Sequence, residues 1–158
     1  MFCENSVRWL YRLERSHAWD SGLAIDRDCA FKDKEGRVRL ILERGGRITV
    51  TRGYAWNGCS PKFCFVDLIV GTPDGVVDAR TGWPKTHYAS LVHDALYQFA
   101  GDGLPLSRSQ ADGCFLRLLD ATGFRLRWIY FVAVRLFGGF TRHITRWVRK
   151  TRGTAMPI

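Results

Sequence analysis

Two helices joined by a short connection are the feature of this sequence that most constrains its fold. Apolar residues recur at helical spacing after Pro84, a residue that suits the first turn of a helix, and continue to about Ala100. Gly101 and Gly103 then end this first helix. Because only about six residues lead to the next helical pattern, we expect the two helices to pack side by side in antiparallel orientation.

The second helix carries start and stop signals of its own. Ser107 at the N-cap position and Gln110 three residues later match the capping box, in which each side chain bonds a backbone N–H of the first turn. Gly123 suits the position just past a helix end. These signals place the second helix between Ser107 and Gly123.

The N-terminal part is predicted to form β-structure. Apolar and polar side chains alternate through residues 37–52 on both sides of the Gly45-Gly46 pair, which indicates a β-hairpin. Residues 24–31 are a candidate third strand. Residues 1–22 fit a short amphipathic helix or an irregular arm instead.

The positive charge of the chain is concentrated in its C-terminal part. Up to Thr122 there are 16 basic and 15 acidic residues, whereas from Gly123 onward there are 8 basic and no acidic residues. The apolar run Trp128–Val134 is expected to be a buried core helix. Over residues 140–150, apolar residues recur at helical spacing between basic ones, which is typical of an interfacial amphipathic helix. Such a helix suits a phospholipid membrane surface or a protein partner.

We therefore predict one α+β domain over residues 1–158, with a small N-terminal antiparallel β-sheet, then an antiparallel helix pair, then a basic C-terminal helix. The predicted parts are residues 1–52 as the β-rich part, 53–83 as a metal- or ligand-binding loop, 84–123 as the helix pair with the site, and 124–158 as the basic amphipathic helix.

The expected location is cytoplasmic or peripheral to a membrane. Neither a secretory signal nor an uninterrupted run of about 18 apolar residues is visible. The five cysteines include no CxxC pair, which favours a reduced compartment. One disulfide through Cys59 stays open as an alternative.

Four polar residues on the helix pair form the candidate site. His93 and Tyr97 share one helix face, and Asp94 projects about 100° away from His93. Antiparallel packing is expected to bring Asp112 of the second helix opposite His93 or Tyr97. A histidine acts as a general base near neutral pH, and a carboxylate on its far ring nitrogen fixes the tautomer. Alternatively, the same residues only staple the two helices together.

These residues resemble the active centre of prokaryotic phospholipases A2. That family has a loop of the type D-G-C-S, a helix with C-x-x-H-D-x-x-Y and a helix with D-x-x-F. In the same order, residues 57–60 read NGCS, residues 90–97 read SLVHDALY and residues 112–115 read DGCF. With the AVRLFG segment at residues 133–138, these HDxxY and ADxxF motifs are also similar to a family of unknown function that is common in tailed phages, prophages and bacteria.

The phospholipase resemblance implies a role for each residue. His93 would be the general base, Asp112 its orienting partner and Tyr97 the brace of Asp112. A water activated by His93 would attack an ester of a phospholipid at a membrane surface, with calcium as the cofactor. The implied calcium ligands are Asp94, Asn57, Gly58 and Cys59.

Three departures from the family pattern weaken the implied calcium site. Ser90 stands where the family has a cysteine, so the disulfide that pins the calcium loop to the helix is absent. Asn57 replaces an aspartate and removes one negative charge. The segment at residues 66–83 is an insertion between the loop and the helix.

Other functions stay open beside the calcium-dependent hydrolase. The main alternative is a non-catalytic phage or prophage structural or accessory protein that binds a protein partner through the basic C-terminal helix. A metal held by His87, His93 and Asp94 is a weaker one, because two ligands on a helix prefer a spacing of four. No RNP-like strand, zinc knuckle or helix-turn-helix predicts specific nucleic-acid binding.

Overall fold

The computed structural model describes residues 11–58, 63–65, 68–70 and 77–136. Within this part, antiparallel strands precede three helices, which confirms the predicted α+β class. The strands are β1 (Tyr11–Arg12), β2 (His17–Asp20), β3 (Cys29–Lys32), β4 (Val38–Glu43), β5 (Arg47–Val50), β6 (Ala55–Trp56), β7 (Phe63–Phe65) and β8 (Leu68–Val70), and the helices are α1 (His87–Phe99), α2 (Arg108–Ala121) and α3 (residues 127–136).

The main sheet has the strand order β2-β5-β4-β3, and every neighbouring pair is antiparallel. Strands β4 and β5 form the hairpin that the alternating pattern predicts, with the glycine pair at its turn. Leu40, Leu42, Ile48 and Val50 have no exposed surface, because alternate residues of a strand point to the same face and this face forms the core. The predicted third strand is β3, which pairs with β4.

The expected helix or irregular arm at the N-terminus is wrong where the structure describes it. Residues 11–12 and 17–20 are strands, with β1 paired to β6 and β2 paired to β5. The helical spacing of apolar residues is a local signal, and pairing with strands far along the chain overrides it. Residues 1–10 lie outside the described residues.

The predicted loop at residues 53–83 is likewise only partly a loop. It contains β6, which closes the small sheet with β1, and the antiparallel hairpin of β7 and β8. These strands are two or three residues long, too short to show an alternating pattern in the sequence. Residues 59–62, 66–67 and 71–76 lie outside the described part.

The two central helices follow the prediction closely, apart from one boundary. Helix α1 begins at His87 instead of Pro84, because Pro84 forms an isolated antiparallel bridge with Val77. Helix α2 has Ser107 as its N-cap, and both hydrogen bonds of the capping box are present. Gly123 follows its end with a φ of 62°, in the left-handed region that glycine favours.

The helix pair is antiparallel, and its two ends show the direction. At one end, Thr122 of α2 donates its hydroxyl to the carbonyl of Lys85, which precedes α1, over 3.0 Å. At the other end, Arg108 of α2 donates to the hydroxyl of Tyr97 over 3.0 Å. Buried apolar residues of the two helices pack together, and α1 also packs on β4 and β5 of the main sheet.

The expectation that Trp128–Val134 is a buried core helix is wrong. The segment is helical, but only Tyr130 is buried, while Trp128 and Ile129 are exposed by 58% and 64%. A run of apolar residues has no sidedness in the sequence, so burial could not be separated from exposure. The predicted amphipathic helix at residues 140–150 lies outside the described residues. No helix among the described residues is long and apolar enough to cross a membrane.

Candidate active site

An imidazole, a carboxylate and a phenol meet across the seam between α1 and α2. His93 Nε2 lies 3.1 Å from Oδ1 of Asp112, and the Tyr97 hydroxyl donates to the same oxygen over 2.6 Å. His93 and Tyr97 are one turn apart on α1, so both reach the single carboxylate that α2 presents. The contact that the helix pattern predicted is therefore present.

Asp112 has no exposed surface, yet the structure favours its ionised form. Desolvation alone would raise the pKa of this carboxyl, but the hydrogen bonds from His93, Tyr97 and Arg135 outweigh it and hold the pKa below its usual value. Arg135 of α3 lies 3.3 Å from Oδ2, and Arg108 lies 3.7 Å from the same oxygen. Asp112 thus joins all three helices.

The hydrogen bond to Asp112 decides which nitrogen of His93 is available for chemistry. Because the ionised carboxylate can only accept, Nε2 carries the proton, and Nδ1 of the neutral ring keeps its lone pair. The ring packs against the rings of Tyr97 and Phe115, with centroid distances of 4.2 Å and 5.0 Å. These contacts fix the ring plane, so that Nδ1 points to the side of Asp94, whose Oδ1 is 4.0 Å away.

Tyr97 acts as a donor that keeps its proton. Desolvation, reinforced by the hydrogen bond to Asp112, raises the pKa of this phenol to about 12. Arg108 in turn donates from Nε to the Tyr97 hydroxyl oxygen. The brace that the resemblance implied for Asp112 is present as a hydrogen bond, and Arg108 extends it.

Asp94 combines exposure with desolvation. Its side chain is 42% exposed, yet the surrounding protein desolvates the carboxyl and raises its pKa to about 7. Within the described part, no Lys or Arg forms an ion pair with Asp94. Its charge also acts on Tyr54, where desolvation first and this charge second raise the pKa of the phenol.

The segment before the NGCS loop is tied to α1 by hydrogen bonds. Tyr54 donates its hydroxyl to Oε1 of Gln98 over 2.9 Å, and Trp56 donates its indole N–H to Oγ of Ser90 over 3.2 Å. The Trp56–Ser90 hydrogen bond therefore attaches the entrance of the NGCS loop to α1.

Of the remaining predicted calcium ligands, the structure describes Asn57 and Gly58. Asn57 is exposed, and Gly58 is buried with a φ of 76°. Among the described residues, no hydrogen bond joins either of them to Asp94, and Cys59 lies outside the described part. The assignment of Asn57, Gly58 and Cys59 as calcium ligands stays a prediction.

His87 belongs to an aromatic cluster. Its ring stacks on Trp83 at a centroid distance of 4.5 Å and contacts Trp56 edge-on at 4.9 Å. No group of three metal-ligating side chains occurs in the part of the chain that the structure describes, so the alternative with His87, His93 and Asp94 as ligands has no support there.

Two arginines of this site were not predicted from the sequence. Arg108 precedes Asp112 by four residues on α2, a spacing that places both on one helix face, so this signal was present in the sequence. Arg135 comes from a third helix and had no such signal.

Comparisons with protein-family models, with curated proteins and with solved structures find no match for this chain.

Proposed function

We propose that this protein is a calcium-dependent hydrolase of the phospholipase A2 type, which cleaves phospholipid esters at a membrane surface. The observation that supports the proposal most is the orientation of His93. Its Nε2 is engaged by the buried carboxylate of Asp112, and its Nδ1 is left as a proton acceptor beside Asp94. A histidine held in this way has the chemistry of a general base.

The chain's own residues account for the proton transfers of ester hydrolysis. His93 Nδ1 takes a proton from a water molecule while the water oxygen bonds to the ester carbonyl carbon. Asp112 stabilises the imidazolium that forms, and Tyr97 with Arg108 holds Asp112 in place. The ester C–O bond then breaks, and the proton on Nδ1 passes to the departing alcohol oxygen, which leaves a free fatty acid and a lysophospholipid.

Asp94 fits the role of a calcium ligand. It is partly exposed, its surroundings disfavour an uncompensated negative charge, and no basic side chain of the described part neutralises it. A hard cation would supply that compensation. Asp94, Asn57, Gly58 and Cys59 are the residues that would hold the ion. Calcium, when bound, would neutralise the negative charge that develops on the ester carbonyl oxygen.

The test is release of fatty acid from phospholipid vesicles in calcium and in EDTA, with His93→Gln as the variant. Glutamine keeps a polar side chain near Asp112 but cannot act as the base, so we expect hydrolysis to fall about 10²- to 10⁴-fold. Asp120→Asn removes a charge from the exposed side of α2 and serves as the matched control with unchanged activity. Full activity in His93→Gln, or activity that is the same in EDTA, would contradict the proposal.

A second candidate function is a non-catalytic phage or prophage accessory protein. The observation that favours it is the double contact of Asp112 with Arg108 and Arg135, which joins three helices whether or not any reaction occurs. This candidate predicts no hydrolysis by the wild-type protein. It also predicts that Asp112→Ala lowers the melting temperature by the same amount with calcium as without it.

A further inference from the structure

One side of α3 presents apolar side chains to solvent. Trp128 is exposed by 58%, Ile129 by 64%, Val132 by 51% and Leu136 by 69%. On a helix with 3.6 residues per turn, these positions fall within an arc about 100° wide, which we name the α3 face. Tyr130 lies on the opposite side and is buried, so α3 rests on the body of the protein with that side.

We propose that the α3 face docks on an anionic phospholipid surface, with its apolar side chains in the boundary between headgroups and acyl chains. An exposed apolar arc of this kind marks an interaction site on a protein of this size. The large aromatic Trp128 and three aliphatic side chains are the types that enter the boundary region of a bilayer.

The charge of the C-terminal sequence that contains α3 favours an anionic partner. From Gly123 onward the chain has 8 basic and no acidic residues, and Arg125 beside the start of α3 is exposed. Basic residues near an anionic surface strengthen binding, and the effect falls with added salt. A second copy of this chain would oppose the same positive charges, which disfavours self-association through this face.

The C-terminal end of α3 contacts the candidate active site through residues beside the α3 face. Arg135 reaches from α3 to Asp112, and Arg108 of α2 donates from Nη2 to the backbone carbonyls of Val134 and Arg135 over 3.1 Å and 2.6 Å. These bonds hold the end of α3 against the seam that contains His93. Docking through α3 therefore attaches to the lipid surface a helix that is bonded directly to the Asp112 network of the proposed function.

The binding test uses the full chain in EDTA, with vesicles of phosphatidylglycerol or phosphatidylcholine separated by sedimentation. We expect the protein to bind phosphatidylglycerol, and Ile129→Ser/Val132→Ser to lower the partition coefficient about tenfold or more, because two apolar side chains no longer enter the lipid. Val77→Ser is the matched control, since Val77 is exposed by 54% and lies outside α3. Unchanged melting temperatures check that the variants fold.

Three results would overturn this docking site: no binding of the wild type to anionic vesicles, equal binding by the double variant, or equal loss in Val77→Ser. Light scattering tests whether a second copy of this chain covers the α3 face instead. A wild-type dimer that the double variant converts to a monomer, without vesicle binding, would identify the face as a contact between two copies.

Hydrolysis assays distinguish lipid docking through the α3 face from the proposed enzymatic activity. The effect of docking on catalysis rests on that proposed function. The double variant should lose hydrolysis of vesicles but keep its kcat/KM on a dispersed short-chain phospholipid. His93→Gln should bind vesicles as the wild type does and hydrolyse neither substrate. Vesicle binding through the α3 face without any hydrolysis would refute the enzyme and leave the docking site, whereas vesicle hydrolysis that survives in the double variant would refute the docking site.

Discussion

At Asp112, a carboxylate without exposed surface keeps its charge because donors from three helices surround it. His93 and Tyr97 bond to Oδ1, while Arg108 and Arg135 approach Oδ2. An unpaired charge at this depth would cost several kcal/mol, so the donors and the acceptor depend on one another. The same network that orients the imidazole therefore also contributes to the stability of the helix bundle.

Removal of this carboxylate should destabilise the fold. We expect Asp112→Ala to lower the free energy of unfolding by about 3–5 kcal/mol, because it removes the buried acceptor that His93, Tyr97 and the two arginines share. Asp112→Asn keeps one acceptor oxygen and should cost less, about 1–3 kcal/mol. Urea titration at pH 7 measures both. Asp120→Ala on the same helix is the control, since its ion pair with Arg127 is 67% exposed at the carboxylate and should contribute about 0–1 kcal/mol. Equal losses in Asp112→Ala and Asp120→Ala would contradict the network.

His87 predicts a loss of stability in mild acid. Desolvation first, and the neighbouring His17 second, lower the pKa of His87 from 6.5 to about 4 in the folded protein. The unfolded chain therefore binds more protons between these values. The contribution of neutral His87 to the free energy of unfolding is fully present above about pH 6.5. It falls by roughly 2–3 kcal/mol as the pH drops towards 4. Urea midpoints measured from pH 7.5 to pH 4 follow the change.

The variant His87→Phe isolates this contribution. Phenylalanine keeps the stacking on Trp83 but cannot be protonated, so its stability should depend less on pH than that of the wild type. Asp94 titrates in both proteins, so its effect cancels in the difference between the two curves, which reports His87 together with its coupling to His17. If the stability of the variant and of the wild type depended on pH in the same way, folding would not lower the pKa of His87.

Among the elements, the β4–β5 hairpin shows how tightly a turn can be specified. Gly45 and Gly46 both have a positive φ, of 93° and 104°, but they differ in the space around them. A Cβ at Gly46 would lie 2.5 Å from the carbonyl oxygen of Leu23, whereas at Gly45 nothing lies within 4 Å. Ser21 further binds the carbonyl of Gly46 through its hydroxyl over 2.6 Å. The second glycine therefore holds the segment before β3 against the hairpin.

This difference predicts unequal costs for two neighbouring substitutions. Gly45→Ala should cost about 1–2 kcal/mol, because only the left-handed backbone conformation is strained. Gly46→Ala should cost about 1–3 kcal/mol more, since the new methyl group collides with backbone. Thermal unfolding of the two variants measures the difference, and each protein is the control of the other. A smaller loss in Gly46→Ala than in Gly45→Ala would contradict the close approach.

For the molecule as a whole, the sequence predicted what depends on neighbours along the chain. The capping box of α2 and the hairpin turn are local signals, and both are present. The contact of His93 with Asp112 was predictable because a short connection restricts two helices to antiparallel packing. Fold class and the polar centre of the site followed from these features.

Features that depend on distant partners were not predictable from the sequence. Strands β1 and β6 are two residues each and form only because they meet across more than forty residues of chain. The side on which α3 is exposed depends on the body that it rests on. Arg135 joins the site from α3, so no spacing pattern within one element could reveal it.

Calcium binding should stabilise the whole protein if the proposed site is correct. A ligand that binds only the folded state adds RT ln(1 + [L]/Kd), so a tenfold excess of calcium over its Kd contributes about 1.4 kcal/mol. For a domain of this size, that raises the melting temperature by about 3–5 °C. Because the pKa of Asp94 is raised to about 7, protons compete with calcium, and the increase should be larger at pH 8 than at pH 6.

Differential scanning fluorimetry of three proteins with calcium and with magnesium tests this increase. Asp94→Asn should lose it, because the substitution keeps the shape of the side chain but removes the negative charge that binds the ion. Asp26→Asn removes the same charge at an exposed position and should keep it. Magnesium should have a weaker effect, since it requires a more regular arrangement of oxygen ligands than a loop of backbone carbonyls offers. An increase that persists in Asp94→Asn would place the calcium elsewhere, and the carboxylate next to the histidine would then have no part in metal binding.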